Sequence, residues 1–175
     1  MKKRIFIALP VSESLQNEII AWEQSFSDLP VRWLKGKNLH ITLVPPWEID
    51  DTDKIVTLLN GSKFVTERIE LRFDRVSFGP NPREPRLIWA EGQTVNQLSV
   101  IRNQLYETLG FSPESRPYKL HLTLARFRPE QFASFPTQTL NEKVTWQDTA
   151  TSFVLMESHL LPTGADYEIL VEIPL

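Results

Sequence analysis

The chain has 175 residues, 41% of them hydrophobic and 23% charged, with a formal net charge of −3. This length supports a good core in one compact unit. The slightly acidic balance excludes a nucleic-acid binder held by bulk electrostatics, so any RNA contact must come from a local patch. The absence of cysteine excludes disulfides, thiolate nucleophiles and zinc–thiolate sites.

Lys2-Lys3-Arg4 followed by Ile5 to Leu9 has the superficial outline of a signal peptide. Its apolar run ends at Pro10, too short for a signal core, and reads better as a buried first strand, Arg4–Leu9. Ser12 or Ser14 is a candidate cap for a helix reaching about Phe26, with Leu15, Ile19, Ile20 and Trp22 on its buried side. Leu39–Val44 reads as a strand stopped by Pro45-Pro46. Asp51–Leu59 reads as a helix with acidic residues in its first turn and Gly61 at its end. Arg68–Phe78 alternates as a strand, with Ile69, Leu71 and Phe73 on one face, and Gly79-Pro80-Asn81-Pro82 is a turn. Arg86–Ala90 is a strand, Thr94–Leu109 an amphipathic helix ending at Gly110, and Leu120–Phe127 a strand. Val144–Trp146, Ser152–His159 and Tyr167–Ile173 are the closing strands. No apolar stretch is long enough to span a bilayer, so a soluble cytoplasmic protein is expected; the chain is separately expected to be a monomer.

Two segments nearly repeat: His40-Ile41-Thr42-Leu43 and His121-Leu122-Thr123-Leu124. They use two of the three histidines in the chain. Around them lies a coarser repeat in which Arg4-Ile5-Phe6-Ile7-Ala8, a helix and the first motif match Arg86-Leu87-Ile88-Trp89-Ala90, a helix and the second. The arginines are offset by 82 residues and the histidines by 81. The near-constant offset argues for a duplicated lobe of strand–helix–strand units, and two lobes related by a pseudo-twofold axis would bring the motif strands to a shared cleft. Residues 1–175 would form one bilobal domain.

In a strand, residues i and i+2 share a face, so each motif presents an imidazole and a hydroxyl together. Imidazole exchanges protons near neutral pH. Two of them across a phosphorus atom suit in-line displacement, one taking a proton from the attacking oxygen and the other giving one to the leaving oxygen. Thr42 and Thr123 are candidate donors to non-bridging oxygens. Arg116, Lys119, Arg126 and Arg128 make the surroundings of the second motif basic. Simple alternation puts Arg126 on the face opposite Thr123, from which it reaches an anion only if the strand bends or ends.

With these flanks the sequence resembles the two-histidine phosphoesterases, specifically the bacterial and archaeal RNA 2′,3′-cyclic phosphodiesterases, also called 2′-5′ RNA ligase-like proteins. The resemblance covers Arg4 to Pro10, Val31-Arg32-Trp33, Asn38 to Leu43, Arg116-Pro117-Tyr118-Lys119, His121 to Arg126, Glu157-Ser158, Pro162-Thr163-Gly164 and Tyr167. It implies an α+β fold of two pseudo-symmetric lobes, with antiparallel or mixed sheets lining a central cleft, and hydrolysis of a 2′,3′-cyclic phosphate at an RNA 3′ end to a 2′-phosphate without metal or other cofactor. It implies that His40 protonates the leaving oxygen, that His121 is the base acting on water, and that Thr42, Thr123 and Arg126 hold the phosphate. It leaves open whether the chain also forms 2′-5′ linkages. Val44-Pro45-Pro46-Trp47 replaces the family's usual Phe-Leu-Gly-like segment, and Leu120 its usual proline.

Other readings exist. His159, beside Glu157 and Ser158, fits a structural role. Trp47 and Tyr118 fit base stacking or packing equally well. Arg128 stands evenly between phosphate contact and a solvated strand edge. A zinc site would need a third ligand such as Glu48 or Asp50, and nothing in the spacing calls for one. A phosphodiesterase acting on a small cyclic nucleotide or a 2′-5′ oligonucleotide is the alternative enzyme. A non-catalytic RNA-end binding module is the alternative from another class.

Overall fold

The computed structural model describes residues 2–65, 67–112, 114–162 and 164–175. Thr163, named above, lies outside them. Strand β1 (Lys3–Pro10) leads to helix α1 (Glu13–Glu23), the short strand β2 (Arg32–Trp33) and strand β3 (His40–Ile49). Helix α2 (Thr52–Gly61), strands β4 (Ile69–Gly79) and β5 (Leu87–Gly92), helix α3 (Asn96–Leu109) and strand β6 (His121–Arg126) follow. Strands β7 (Asn141–Ala150), β8 (Ser152–Leu161) and β9 (Gly164–Pro174) close the chain.

The strands form two sheets, ordered β3-β1-β8-β9 and β2-β6-β5-β4-β7, and every pairing described is antiparallel. This is an α+β fold. Setting β2 aside, the two orders correspond strand for strand, and each motif strand pairs with the first strand of its own half. The main core draws on both sheets and all three helices, including Ile5, Ile7, Leu15, Phe73, Ile88, Leu98, Leu122 and Phe153. A second, smaller cluster of Phe6, Ala8, Val154 and Met156 covers the opposite face of β1 and β8. Burial on both faces is why Ile5 to Leu9 is an unbroken apolar run rather than an alternating one.

Local chemistry explains the helix ends. Ser12 caps α1, its hydroxyl accepting from the Leu15 N–H at 3.2 Å. The Asp51 carboxylate caps α2 from both the Asp53 and Lys54 N–H groups. Helix α3 begins at Asn96 rather than Thr94, because the Thr94 hydroxyl is used elsewhere, accepting from the Leu120 N–H at 2.8 Å.

Four expectations need correction. Strand β3 does not stop at Pro45-Pro46 but runs through both to Ile49. It is an edge strand, where proline's missing donor leaves no ladder bond unmade. Ile20 is 41% exposed because it lies outside the stripe that Leu15 and Ile19 bury. Val144–Trp146 is only the centre of a ten-residue strand that pairs with β4. The arginine offset misplaces the repeat by one residue. Pro10, Leu9, Ala8 and Ile7 pair with His40, Ile41, Thr42 and Val44, while Glu91, Ala90, Trp89 and Ile88 pair with His121, Leu122, Thr123 and Ala125. The structural offset is therefore 81 in both strands of each half. A one-residue slip usually exchanges the two faces of a strand, but β1 is apolar on both, so its sequence does not fix the register.

Candidate active site

His40 and Thr42 are half-buried on β3, and His121 and Thr123 are half-buried on β6, each pair flanking a fully buried residue. The two motif strands pack against each other across the sheets. Each imidazole is fixed in the same way. The Nδ1–H of His40 donates to the Asn38 carbonyl at 2.7 Å, and the Nδ1–H of His121 donates to the Lys119 carbonyl at 2.9 Å. A carbonyl only accepts, so both Nδ1 atoms carry hydrogen and both Nε2 atoms are left for chemistry. Asn38 is itself pinned, its side-chain amide donating to Ala165 O at 3.1 Å.

The walls differ. His40 packs against Phe6 at 4.9 Å and Tyr167 at 5.1 Å between ring centroids. Burial pushes its pKa down to about 4, outweighing the bond to Asn38, and the neighbouring Arg126 and His121 side chains lower it further. At neutral pH the free protein therefore holds His40 uncharged. His121 packs against Trp89 at 5.2 Å and sits directly across from Glu91. Buried Glu91 is held by Lys119, by Arg75 at 3.1 Å and by the Ser77 hydroxyl at 3.2 Å. Burial opposes ionisation of this carboxyl, but Lys119, Arg75 and Ser77 together hold its pKa below the usual range. The Trp89 indole lies close against Gly79, where an added Cβ would stand 2.6 Å from the ring.

Both motif strands bulge at the same place. Leu43 and Leu124 are skipped in the pairing, so Leu43 and Val44 are both buried in β3, and Leu124 and Ala125 in β6. A bulge re-aims the residues after it. The next residue in β6 is Arg126, which turns to the cleft side that alternation denied it and lines a pocket of about 380 Å³ with His40, Thr42, Phe6 and Tyr167. The corresponding residue in β3 is Pro45, so only one half supplies a cation. Each bulge has its carbonyl satisfied. Leu124 O accepts from the Leu34 N–H at 2.8 Å, and Leu43 O accepts from the buried Arg102 Nε–H at 3.0 Å.

A neighbouring pocket of about 390 Å³ contains His121, Thr42, Trp89 and Tyr118. Thr42 is thus common to both histidine pockets, whereas Thr123 lines neither. The Tyr118 hydroxyl donates to Thr42 O at 2.8 Å, and Trp47 packs edge-on against Phe111 at 5.3 Å. Both make packing contacts. The His159 Nε2 faces Glu168 at 3.1 Å, while its neighbour Ser158 lines the His40 pocket. Among the described residues, the one cluster of metal-ligating side chains is Glu157, His159 and Glu168; neither motif histidine, nor Glu48 or Asp50, belongs to it. Sequence reasoning missed the bracing roles of Asn38, Arg102 and Trp89. Asn38 and Trp89 lay inside quoted segments, and Arg102 in none.

Comparison with known proteins shows the family and the fold. Residues 11–160 match the family model described as the 2′-5′ RNA ligase superfamily. The RNA 2′,3′-cyclic phosphodiesterase of Methanocaldococcus jannaschii is 25% identical over 177 residues, spanning 97% of this chain and 99% of its own. That of Bacillus subtilis is 27% identical over 171 residues, spanning 91% and 90%. The crystal structure of E. coli LigT complexed with 3′-AMP shares the fold, with a TM-score of 0.79 at 24% identity over 100% of this chain and 99% of that one.

Proposed function

The chain belongs to the 2′-5′ RNA ligase superfamily, and from that premise we propose that it is an RNA 2′,3′-cyclic phosphodiesterase. The substrate is an RNA 3′ end bearing a 2′,3′-cyclic phosphate. Water attacks phosphorus, the P–O3′ bond breaks, and a 2′-phosphate and a free 3′-hydroxyl result. The observation that carries this reading is the matched pair of imidazoles. Each gives its Nδ1–H to a backbone carbonyl two residues upstream, which leaves two Nε2 atoms for proton transfer, in neighbouring pockets that share Thr42. Names of full-length relatives at 25–27% identity support the same activity.

In this mechanism His121 takes the proton from water and His40 gives one to O3′. Thr42 and Thr123 donate to the non-bridging oxygens, and Arg126 neutralises the charge that grows there. The environments suit unequal duties. His40 stands against aromatic rings and needs an anion beside it to become charged. His121 stands beside an ion-paired network at the open side. The reaction needs no metal or other cofactor in this scheme, and residues 1–175 act as one bilobal, monomeric, cytoplasmic unit. A ribose 5′-hydroxyl in place of water would turn the same geometry to 2′-5′ ligation.

The test is incubation with a short RNA ending in a 2′,3′-cyclic phosphate, in EDTA, resolving 2′- from 3′-phosphate products. Conversion to the 2′-phosphate is expected, with His40→Ala and His121→Ala each lowering kcat by about 10²–10⁴. A 3′-phosphate product, or activity abolished by EDTA, would refute the mechanism.

A further inference from the structure

The basic surface near the second motif extends past the catalytic cleft. A cleft of about 530 Å³ is lined by Arg32, Arg86, Arg126 and Arg128 together with Phe127 and Gln131, and no carboxylate lines it. It shares Arg32 and Arg126 with the His40 pocket. None of the four arginines makes an ion pair among the described residues. This is unusual in a chain of net charge −3 with 22 carboxylates.

The fold brings these charges together at a cost. Arg32 and Arg126 are direct cross-strand partners on β2 and β6, and like charges so placed are destabilising. Arg86 joins them because the Phe127 N–H donates to Arg86 O at 3.0 Å, holding the start of β5 beside the end of β6. Arg32 lies against Gly164, where a Cβ would stand 2.9 Å from its guanidinium carbon and where φ is +123°, a conformation that favours glycine. Four exposed, uncompensated guanidinium groups around one depression make a site for an anion with several phosphates in a row.

We propose that this arginine cleft binds the phosphodiester backbone on the 5′ side of the reacting nucleotide. It would make the protein select an RNA strand over a cyclic mononucleotide. The inference rests on the proposed reading of an RNA end as substrate, since that end fixes which phosphates lie next to His40. Phosphate contacts of this kind position a strand without reading its bases. They make binding depend on salt, with a slope of about 0.7 per phosphate for single strands.

The experiment compares the wild-type protein with Arg86→Gln/Arg128→Gln, neither residue having a part in the chemistry. Binding of a 5′-labelled hexanucleotide ending in a 2′-phosphate is followed by fluorescence anisotropy from low to high salt. Turnover of a 2′,3′-cyclic mononucleotide is measured beside it. The variant should bind the hexanucleotide at least about tenfold more weakly, with its salt slope reduced by about 1.4, while mononucleotide turnover stays unchanged. Equal hexanucleotide binding by the two proteins would overturn the proposal. So would a parallel loss of mononucleotide turnover, because the arginines would then be supporting the catalytic fold. If wild type binds the strand through these arginines yet opens no cyclic phosphate, the track stands and the proposed reaction falls.

Discussion

In the free protein His40 is neutral at physiological pH, since burial against Phe6 and Tyr167 brings its pKa down to about 4. A group proposed to donate a proton must therefore acquire one, and the substrate is the means. An anion placed beside an imidazole favours its charged form, so a bound phosphate raises the His40 pKa toward neutrality. The sign follows directly. At pH 6 the free site lacks the proton and the occupied site holds it, so phosphate binding takes up protons and weakens as pH rises above the occupied pKa. Calorimetry of 2′-nucleotide binding in two buffers of different ionisation enthalpy should show proton uptake in wild type and its loss in His40→Asn. Equal enthalpies in both buffers for wild type would show that the bound phosphate leaves His40 neutral. Arg126 shows the limit of reading side-chain direction from alternation. The strand rule fails there because Leu124 is an extra residue in the ladder.

The matched bulges make β3 and β6 more than strands carrying a motif. Each bulge turns the next residue toward the cleft, and each needs a donor for its displaced carbonyl. For β6 the donor is the backbone of Leu34, following β2. For β3 it is Arg102, which is anchored by Glu114 at 2.9 Å and by the Tyr106 hydroxyl at 3.2 Å. The guanidinium also lies over the Tyr118 ring, and Tyr118 bonds the carbonyl of Thr42. One helix residue of the second half thus positions the motif strand of the first. Arg102→Gln should lower stability by about 1.5–3 kcal/mol in urea unfolding, and displacement of Thr42 and His40 should lower kcat by tenfold or more. Tyr118→Phe, which keeps the ring under the guanidinium, should cost less on both measures. A kcat unchanged in Arg102→Gln would show that the bulge holds its shape without the side chain.

At the scale of the whole molecule, two buried groups act on stability in opposite directions. His40 has its ordinary value of 6.5 when unfolded and about 4 when folded. Its contribution is complete above about 6.5 and is lost as pH falls toward 4, where the unfolded chain alone is protonated. Glu23 has a buried oxygen without a hydrogen-bond partner among the described residues, and burial pushes its pKa from 4.5 up to about 7. Its contribution is complete below about 4.5 and is lost as pH rises through 7. The two slopes oppose each other between these limits, which favours a broad stability optimum. Glu23→Gln should therefore stabilise the protein at pH 8 by on the order of 1–3 kcal/mol and do little near pH 4, measured by urea unfolding at both. A gain of equal size at both pH values would show that the carboxylate charge is not what destabilises the folded state. No helix among the described residues is long and apolar enough to cross a membrane.

By itself the sequence determined the fold class, narrowed the α1 cap to Ser12 or Ser14, and carried the duplication that puts one histidine motif into each half. These are local properties, written in spacing, capping chemistry and repetition, and they survive whatever packs around them. Tertiary structure alone decided the true register of the repeat, the continuation of β3 through two prolines, and the turn that brings Arg126 to the cleft. It also decided that His40 is neutral while His121 faces an ionised network, although the two motifs are nearly identical as text. The physical reason is that register, bulges and pKa depend on neighbours far along the chain: which strand lies beside which, which side chain caps a displaced carbonyl, and how much water remains around a ring.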